Sequence, residues 1–298
     1  MSCVALRSRF FLLVVAGVGL ITSAFPSFAE LAPPKGLNVD RDIYYGTGAG
    51  KTKSLQSLDI YWNKTGKPRP VIIYVHGGGW AFGDKSDVRH KPDFFALHKI
   101  SFVSMNYRLR WEYKIYDQLE DVVSVVNWVK RNHAAYNLDP NRIILMGYGA
   151  GGFLVSLVAT DEDLLRTQGL DLGDLRAVVS IDNPSYDIVD LMQAPDNFIE
   201  KRRYRLIFGD DENVWSAFSP TTHISADKGI PPFAILFATD DESAGNQAKA
   251  FSKSLRDAKV DVIMIPGNNR KAESVDDELG MPGDKPTLAL MAFIGAAL

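Results

Sequence analysis

The stretch "ILMGYGAGGF", residues 144–153, decides the fold. Its four glycines stand between an apolar β-like run and a helix-like run. Gly147, Gly149 and Gly152 spell G-x-G-x-x-G, the pattern that seats a dinucleotide pyrophosphate on a helix N-terminus. The overlapping set Gly147-Tyr148-Gly149-Ala150-Gly151 spells the strand–turn–helix elbow G-x-S-x-G, with glycine where a nucleophilic serine would stand. The flanking sequence separates the two readings.

Upstream, "RDIYYG" (41–46) and "LQSLDIYW" (55–62) read as an antiparallel hairpin. Their joint, "TGAGKTKS" (47–54), is one residue too short for a P-loop and reads as a turn. "PVIIYVHGGGW" (70–80) is a continuous apolar run of the buried-strand type. Strands and helices then alternate. "ISFVSMNY" (100–107) is extended, and Ile115, Leu119, Val122, Val126 and Val129 recur at helical spacing. "DPNRIILMG" (139–147) turns into a strand and "GFLVSLVAT" (152–160) is a short helix. Further strands follow at "LRAVVSID" (175–182), "PPFAILFATDD" (231–241) and "VDVIMIPG" (260–267). Helices fall at "NQAKAFSKSLRDA" (246–258) and "TLALMAFIGAAL" (287–298). This order predicts an α/β fold with a central, mostly parallel sheet of about eight strands, covered on both faces. Residues 184–230 break the rhythm and read as a cap-like insertion. No repeat or low-complexity tract interrupts residues 30–298, so a single domain is expected there.

The glycines of 144–153 come too late for a dinucleotide fold, which places them after its first strand. The nearest acid at a strand end, Asp182, lies well beyond the usual spacing of about 20 residues. The elbow reading stands.

"HGGGWAFGDKSD" (76–87), "SMNYRL" (104–109), "LEDVVSVVNWV" (119–129), "LDPNRIILMGYGAGG" (138–152) and "LVATDEDLL" (157–165) occur in this order. Together they resemble the α/β-hydrolase superfamily, in its esterase branch of kynurenine-formamidase-like and BD-FAE-like carboxylesterases. The likeness runs from about Asp42 to the C-terminus. It implies a Ser, Asp, His triad in chain order. The serine falls on Gly149, the acid on Asp241 with Asp240 as fallback, and the histidine on Arg270. It also implies an oxyanion hole from the N–H groups of Gly77, Gly78 and Ala150, with His76 holding the loop.

A count supports the double loss independently. The five histidines, His76, His90, His98, His133 and His223, all precede Asp240, so no base follows the acid. Arginine cannot serve, because it keeps its proton throughout the working pH range. The sequence therefore reads as a degenerate esterase that binds a small molecule or a partner, with a carboxylate as the expected ligand class, through Arg270 and Tyr148. Two alternatives stand beside it. One is a carboxylic-ester hydrolase using a non-standard nucleophile or an activated water, with Tyr148 and Asp241 nearest. The other is a structural or interaction protein. No metal or cofactor is implied.

The remaining composition is that of an ordinary globular chain: 46% hydrophobic, 23% charged, net charge −3. No basic stripe suits nucleic acid. The one basic run, "EKRRYR" (200–205), reads as a solvated helix face. Residues 1–29 read as a signal peptide. Arg7 and Arg9 precede the apolar run from Phe10 to Phe25, and Ser27 and Ala29 suit cleavage after Ala29. Export to a periplasm or the exterior is expected, without a stable membrane span after cleavage. Cys3, the one cysteine, lies in that segment, so the mature protein would have none.

Overall fold

The computed structural model describes residues 36–46, 53–194, 198–267 and 271–298. Residues 1–35, 47–52, 195–197 and 268–270 lie outside them, and with them the signal-peptide reading, most of the hairpin turn and Arg270.

Eight strands form one sheet: β1 (Asn38–Tyr44), β2 (Ser57–Trp62), β3 (Arg69–Val75), β4 (Ser101–Met105), β5 (Leu138–Tyr148), β6 (Leu175–Ile181), β7 (Phe233–Phe237) and β8 (Val262–Pro266). Their order is β1-β2-β4-β3-β5-β6-β7-β8. β1 pairs antiparallel with β2, and β2 with β4; all later pairs are parallel. The mostly parallel sheet predicted by the alternation is therefore present.

The helices are α1 (Lys91–Leu97), α2 (Ile115–Asn132), α3 (Ala150–Val158), α4 (Glu162–Arg166), α5 (Ile188–Gln193), α6 (Phe198–Phe208), α7 (Glu212–Ala217), α8 (Glu242–Asp257), α9 (Ala272–Asp277) and α10 (Lys285–Ala297). Successive strand side chains point to opposite faces, so the central strands feed two cores. Val71, Ile73, Ile143 and Leu145 pack with α2, α3 and α8 on one face. Ile72, Tyr74, Ile144 and Met146 pack with α1 and α10 on the other. Burial on both faces explains why these strands read as unbroken apolar runs. In α2, all five residues picked by helical spacing are buried.

The segment between β6 and β7 carries α5, α6 and α7. Tyr204 and Phe208 of α6 pack edge-on against Trp80, with ring centroids 6.2 and 5.8 Å away. Here the reading of "EKRRYR" as a plain solvated face needs correction. Its arginines are exposed, but Tyr204 is buried. Arg203 also turns back, with its guanidinium carbon 5.8 Å from the Trp80 ring centroid.

Candidate active site

Gly149 joins β5 to α3 at φ 52°, ψ −112°, a conformation costly for any residue with a side chain. Its N–H donates to Ile181 O at 2.9 Å and its carbonyl accepts from Phe153 N at 3.0 Å. The neighbouring glycines are there for another reason. A Cβ on Gly147 would collide with the Gly151 carbonyl, and one on Gly151 with the Val75 carbonyl. Both are required because α3 crosses tightly over β3 and β5. A Cβ on Gly149 would meet nothing within 4 Å. Of the three elbow glycines, only the one at the nucleophile position is not demanded by packing. The backbone turns sharply from β5 into α3 at Gly149, with open space where a side chain would stand.

The facing loop, which follows β3, is held from below. His76 is buried, its Nδ1 donating to Gly77 O at 2.7 Å, and it stacks on Tyr107 with centroids 4.4 Å apart. Tyr107 Oη donates to His76 O at 3.1 Å. This matches the structural role expected for His76. Lys85 N donates to Asn106 Oδ1 at 2.6 Å, and Lys85 Nζ lies 2.6 Å from buried Asp59. Next to Tyr107, Arg108 Nε donates to both oxygens of Asp121 at 3.0 and 2.9 Å. "GDK", "NYR" and "LED" thus form one chain of contacts that fixes the loop.

The N–H groups of Gly77, Gly78 and Ala150 donate to no other group among the described residues. Ala150 is the first residue of α3, where a helix leaves its N–H groups unpaired and presents its positive end.

The BD-FAE family profile matches residues 58–255. The chain belongs to the BD-FAE family. It is similar to "Esterase LipQ" of Mycobacterium tuberculosis, 30% identical over 235 residues, 73% of this chain and 52% of that protein. It is similar to the "Probable isoprenylcysteine alpha-carbonyl methylesterase ICMEL1" of Arabidopsis thaliana, 29% identical over 250 residues, 77% and 50% of the respective lengths. The chain spans about half the length of these curated relatives. Among solved structures, esterase B from Lactobacillus rhamnosis matches with a TM-score of 0.73 at 20% identity, over 89% of this chain and 87% of that one. A truncated carbohydrate esterase from gut microbiota matches at 0.69 and 18% identity, over 89% and 98%. Such identities establish the α/β-hydrolase fold and nothing finer.

Within the BD-FAE domain, the two aspartates that the sequence resemblance assigns to the acid follow the end of β7. Asp240 and Asp241 are both exposed. Asp241 is the N-cap of α8, its Oδ1 accepting from Ala244 N at 2.9 Å.

Two residues near the elbow were not singled out for this site by the sequence. Asp182 follows Ile181, the residue that binds the elbow amide, and is 6% exposed at φ 46°. Its Oδ1 accepts from Ala238 N at 2.8 Å. Burial raises its pKa, and Asp241 and Asp240 push the same way. Arg203, from α6, places Nη2 2.8 Å from where a Gly79 Cβ would be. It brings a positive charge to the loop after β3 from the segment between β6 and β7. Tyr148 packs its ring against Gly77. Burial, with Asp182 and Asp276 adding to it, raises the Tyr148 pKa far above the ordinary tyrosine value. Its hydroxyl stays protonated, which weighs against Tyr148 as an alternative nucleophile.

Proposed function

We propose that this BD-FAE protein is silent as a serine hydrolase and uses its pocket to bind a small anionic molecule, with a carboxylate as the preferred class. The observation that carries this reading is Gly149, an elbow in nucleophile geometry with no side chain to attack. The N–H groups of Gly77, Gly78 and Ala150, unpaired among the described residues, are those that in an active relative would hold an oxyanion, and they remain as anion donors. Arg203 supports the same reading, and Arg270 does so from the sequence.

Two measurements test it. The wild-type protein should take no label from a fluorophosphonate probe. Acetate and butyrate should raise its melting temperature more than their methyl esters do, through preferential binding to the native state. The shift should shrink in Arg203→Gln and in Arg270→Gln. Equal responses to acids and esters, or shifts untouched by both substitutions, would remove the anion site.

Asp182 favours a second reading, in which a buried carboxyl of raised pKa activates a water beside the elbow. Ester turnover by the wild type that is unlabelled by fluorophosphonate and lost in Asp182→Asn would establish this reading instead of the first.

We further propose that the ligand is met outside the cytoplasm. The exported product should begin at Glu30 by intact-mass measurement; a mass that includes residues 1–29 would contradict this.

A further inference from the structure

At the end of the sheet opposite the elbow lies a cavity of about 550 Å³, within the range of roughly 300–1,000 Å³ usual for small-molecule sites. β3 and β5 run parallel, with Arg69 opposite Leu138 at one end and Val75 opposite Gly147 at the other. The span from Arg69 to Val75 is about 20 Å at the usual strand rise. The cavity shares no residue with the elbow site. Ile100, Met291, Ile294 and Leu298 give it an apolar side. Its polar side is cationic. Lys67, Arg69, Lys99 and Arg142 line it, and among the described residues no aspartate or glutamate does.

The four cations differ in how their charge is met. Arg142 is satisfied, with Nε 2.7 Å from Asp139 and Nη2 donating to Pro68 O at 3.0 Å. Arg69 is half-buried, and its backbone is fixed by the flanking Pro68 and Pro70 and by donation from its N–H to Asn137 O at 3.0 Å. Its guanidinium meets the Asn63 amide oxygen, 3.2 Å from Nη1, and no carboxylate among the described residues. Burial accordingly lowers its pKa, with no negative charge acting against it. Lys67 and Lys99 make no ion pair among the described residues, and neither does the α-carboxylate of Leu298. The C-terminal ends of α1 and α10 reach the cavity, but each counts as only about half a negative charge. Positive charge is left over. Gly295 supplies an independent observation. It stands inside α10, where glycine costs roughly 1 kcal/mol against alanine. A Cβ there would meet nothing within 4 Å, so packing does not require the glycine. Gly295 lines the cavity, and its missing side chain keeps the apolar side open.

We infer that this cavity binds a small organic phosphate monoester, its phosphate held by Lys67, Arg69 and Lys99 and its apolar group lying along Met291 and Leu298 beside Gly295. Three cationic groups without partners call for an anion with at least three acceptor oxygens. A phosphate monoester has them and carries about −1.5 to −2 charge at pH 7, whereas a carboxylate offers two oxygens and one charge. The planar fork of Arg69 can meet two phosphate oxygens at once, leaving the third to the lysines. An alkyl group would take the half-buried Met291 and Leu298 out of water, which a bare phosphate ion cannot do.

The test titrates hexyl phosphate, inorganic phosphate and hexanol into the purified protein by calorimetry at constant ionic strength. Hexyl phosphate should bind saturably and raise the melting temperature. Inorganic phosphate should bind about tenfold more weakly or worse, and hexanol should not bind. Arg69→Gln/Lys99→Gln should keep its fold by circular dichroism and weaken hexyl phosphate by about tenfold or more, as expected for losing charge-assisted contacts. Gly295→Leu changes no charge and suits a helix better than glycine. It should weaken hexyl phosphate and leave inorganic phosphate as it was. No saturable binding, inorganic phosphate bound as tightly as its ester, or an unchanged affinity for hexyl phosphate in either variant would each overturn the assignment. Co-sedimentation with phosphatidic-acid vesicles that is lost in the double variant would overturn it as well, by placing the phosphate on a bilayer rather than on a soluble molecule. Arg69 and the elbow stand at opposite ends of the sheet, so either site can fail without the other.

Discussion

The double variant Gly149→Ser/Arg270→His should hydrolyse activated acyl esters, while each single variant stays close to background. A serine at 149 inherits backbone already at φ 52°, ψ −112°, with open space for its side chain. Holding a non-glycine residue there costs about 1–3 kcal/mol, so Gly149→Ser should fold with slightly reduced stability. Its hydroxyl would stand beside the Ala150 N–H but would lack a base, and an unassisted serine is a poor nucleophile. Arg270→His alone would provide a base with nothing to deprotonate. Triad members act as a unit: in subtilisin, losing serine or histidine alone costs about as much as losing all three, roughly 10⁶-fold in kcat. The gain in the double variant should therefore far exceed the product of the single effects, though misplacement by about an ångström can cost 100-fold. Adding Asp241→Asn separates two roles of that residue. Asparagine caps helices about as well as aspartate, so α8 should keep its N-terminus, and a fall in rate would report the lost orienting charge. If Asp182→Asn lowers the rate instead, the acid belongs at the end of β6. Turnover by Gly149→Ser equal to that of the double variant would contradict the assignment of the histidine position to Arg270.

Periodicity and glycine placement made the sheet and the elbow legible, because both follow from local rules. Gly147 and Gly151 are forced by the crossing of α3 over two strands, and such crossings leave a short, regular motif. The inward face of α6 was not legible. Tyr204 sits among basic residues, and its burial depends on Trp80, which comes from the loop after β3. Asp182 escaped for a similar reason. Its place beside the elbow follows from the pairing of β5 with β6, whereas its sequence neighbours show only a strand end. The short helices α1 and α9 carry too few turns to show a period. "GDK", "NYR" and "LED" were legible as motifs, but only the structure shows them gripping one another.

That grip carries the largest expected loss of stability. Arg108→Ala should destabilise the protein by about 3–5 kcal/mol in urea unfolding, because it strands a buried carboxylate. Asp121 is fully buried, and its charge is matched mainly by the Arg108 guanidinium. Gln56 Nε2 and the Arg108 backbone N–H, each at 2.8 Å, survive the substitution and provide part of the compensation. Burial already raises the Asp121 pKa, with Arg108 opposing it; removing the guanidinium should raise it further. A carboxyl whose folded pKa lies above its unfolded value binds more protons in the native state, so its burden on stability grows as pH rises through that window. The deficit of Arg108→Ala should therefore be largest near neutrality and shrink on acidification, as Asp121 becomes neutral. Replacing both partners, as in Arg108→Met/Asp121→Leu, should cost less than Arg108→Ala alone, since no charge is left buried. A deficit independent of pH, or a double variant worse than the single, would mean that Arg108 acts by packing rather than by charge. Because Tyr107 and Asn106 hold the loop after β3 from the adjoining positions, the same variant should also weaken the carboxylate binding proposed at the elbow.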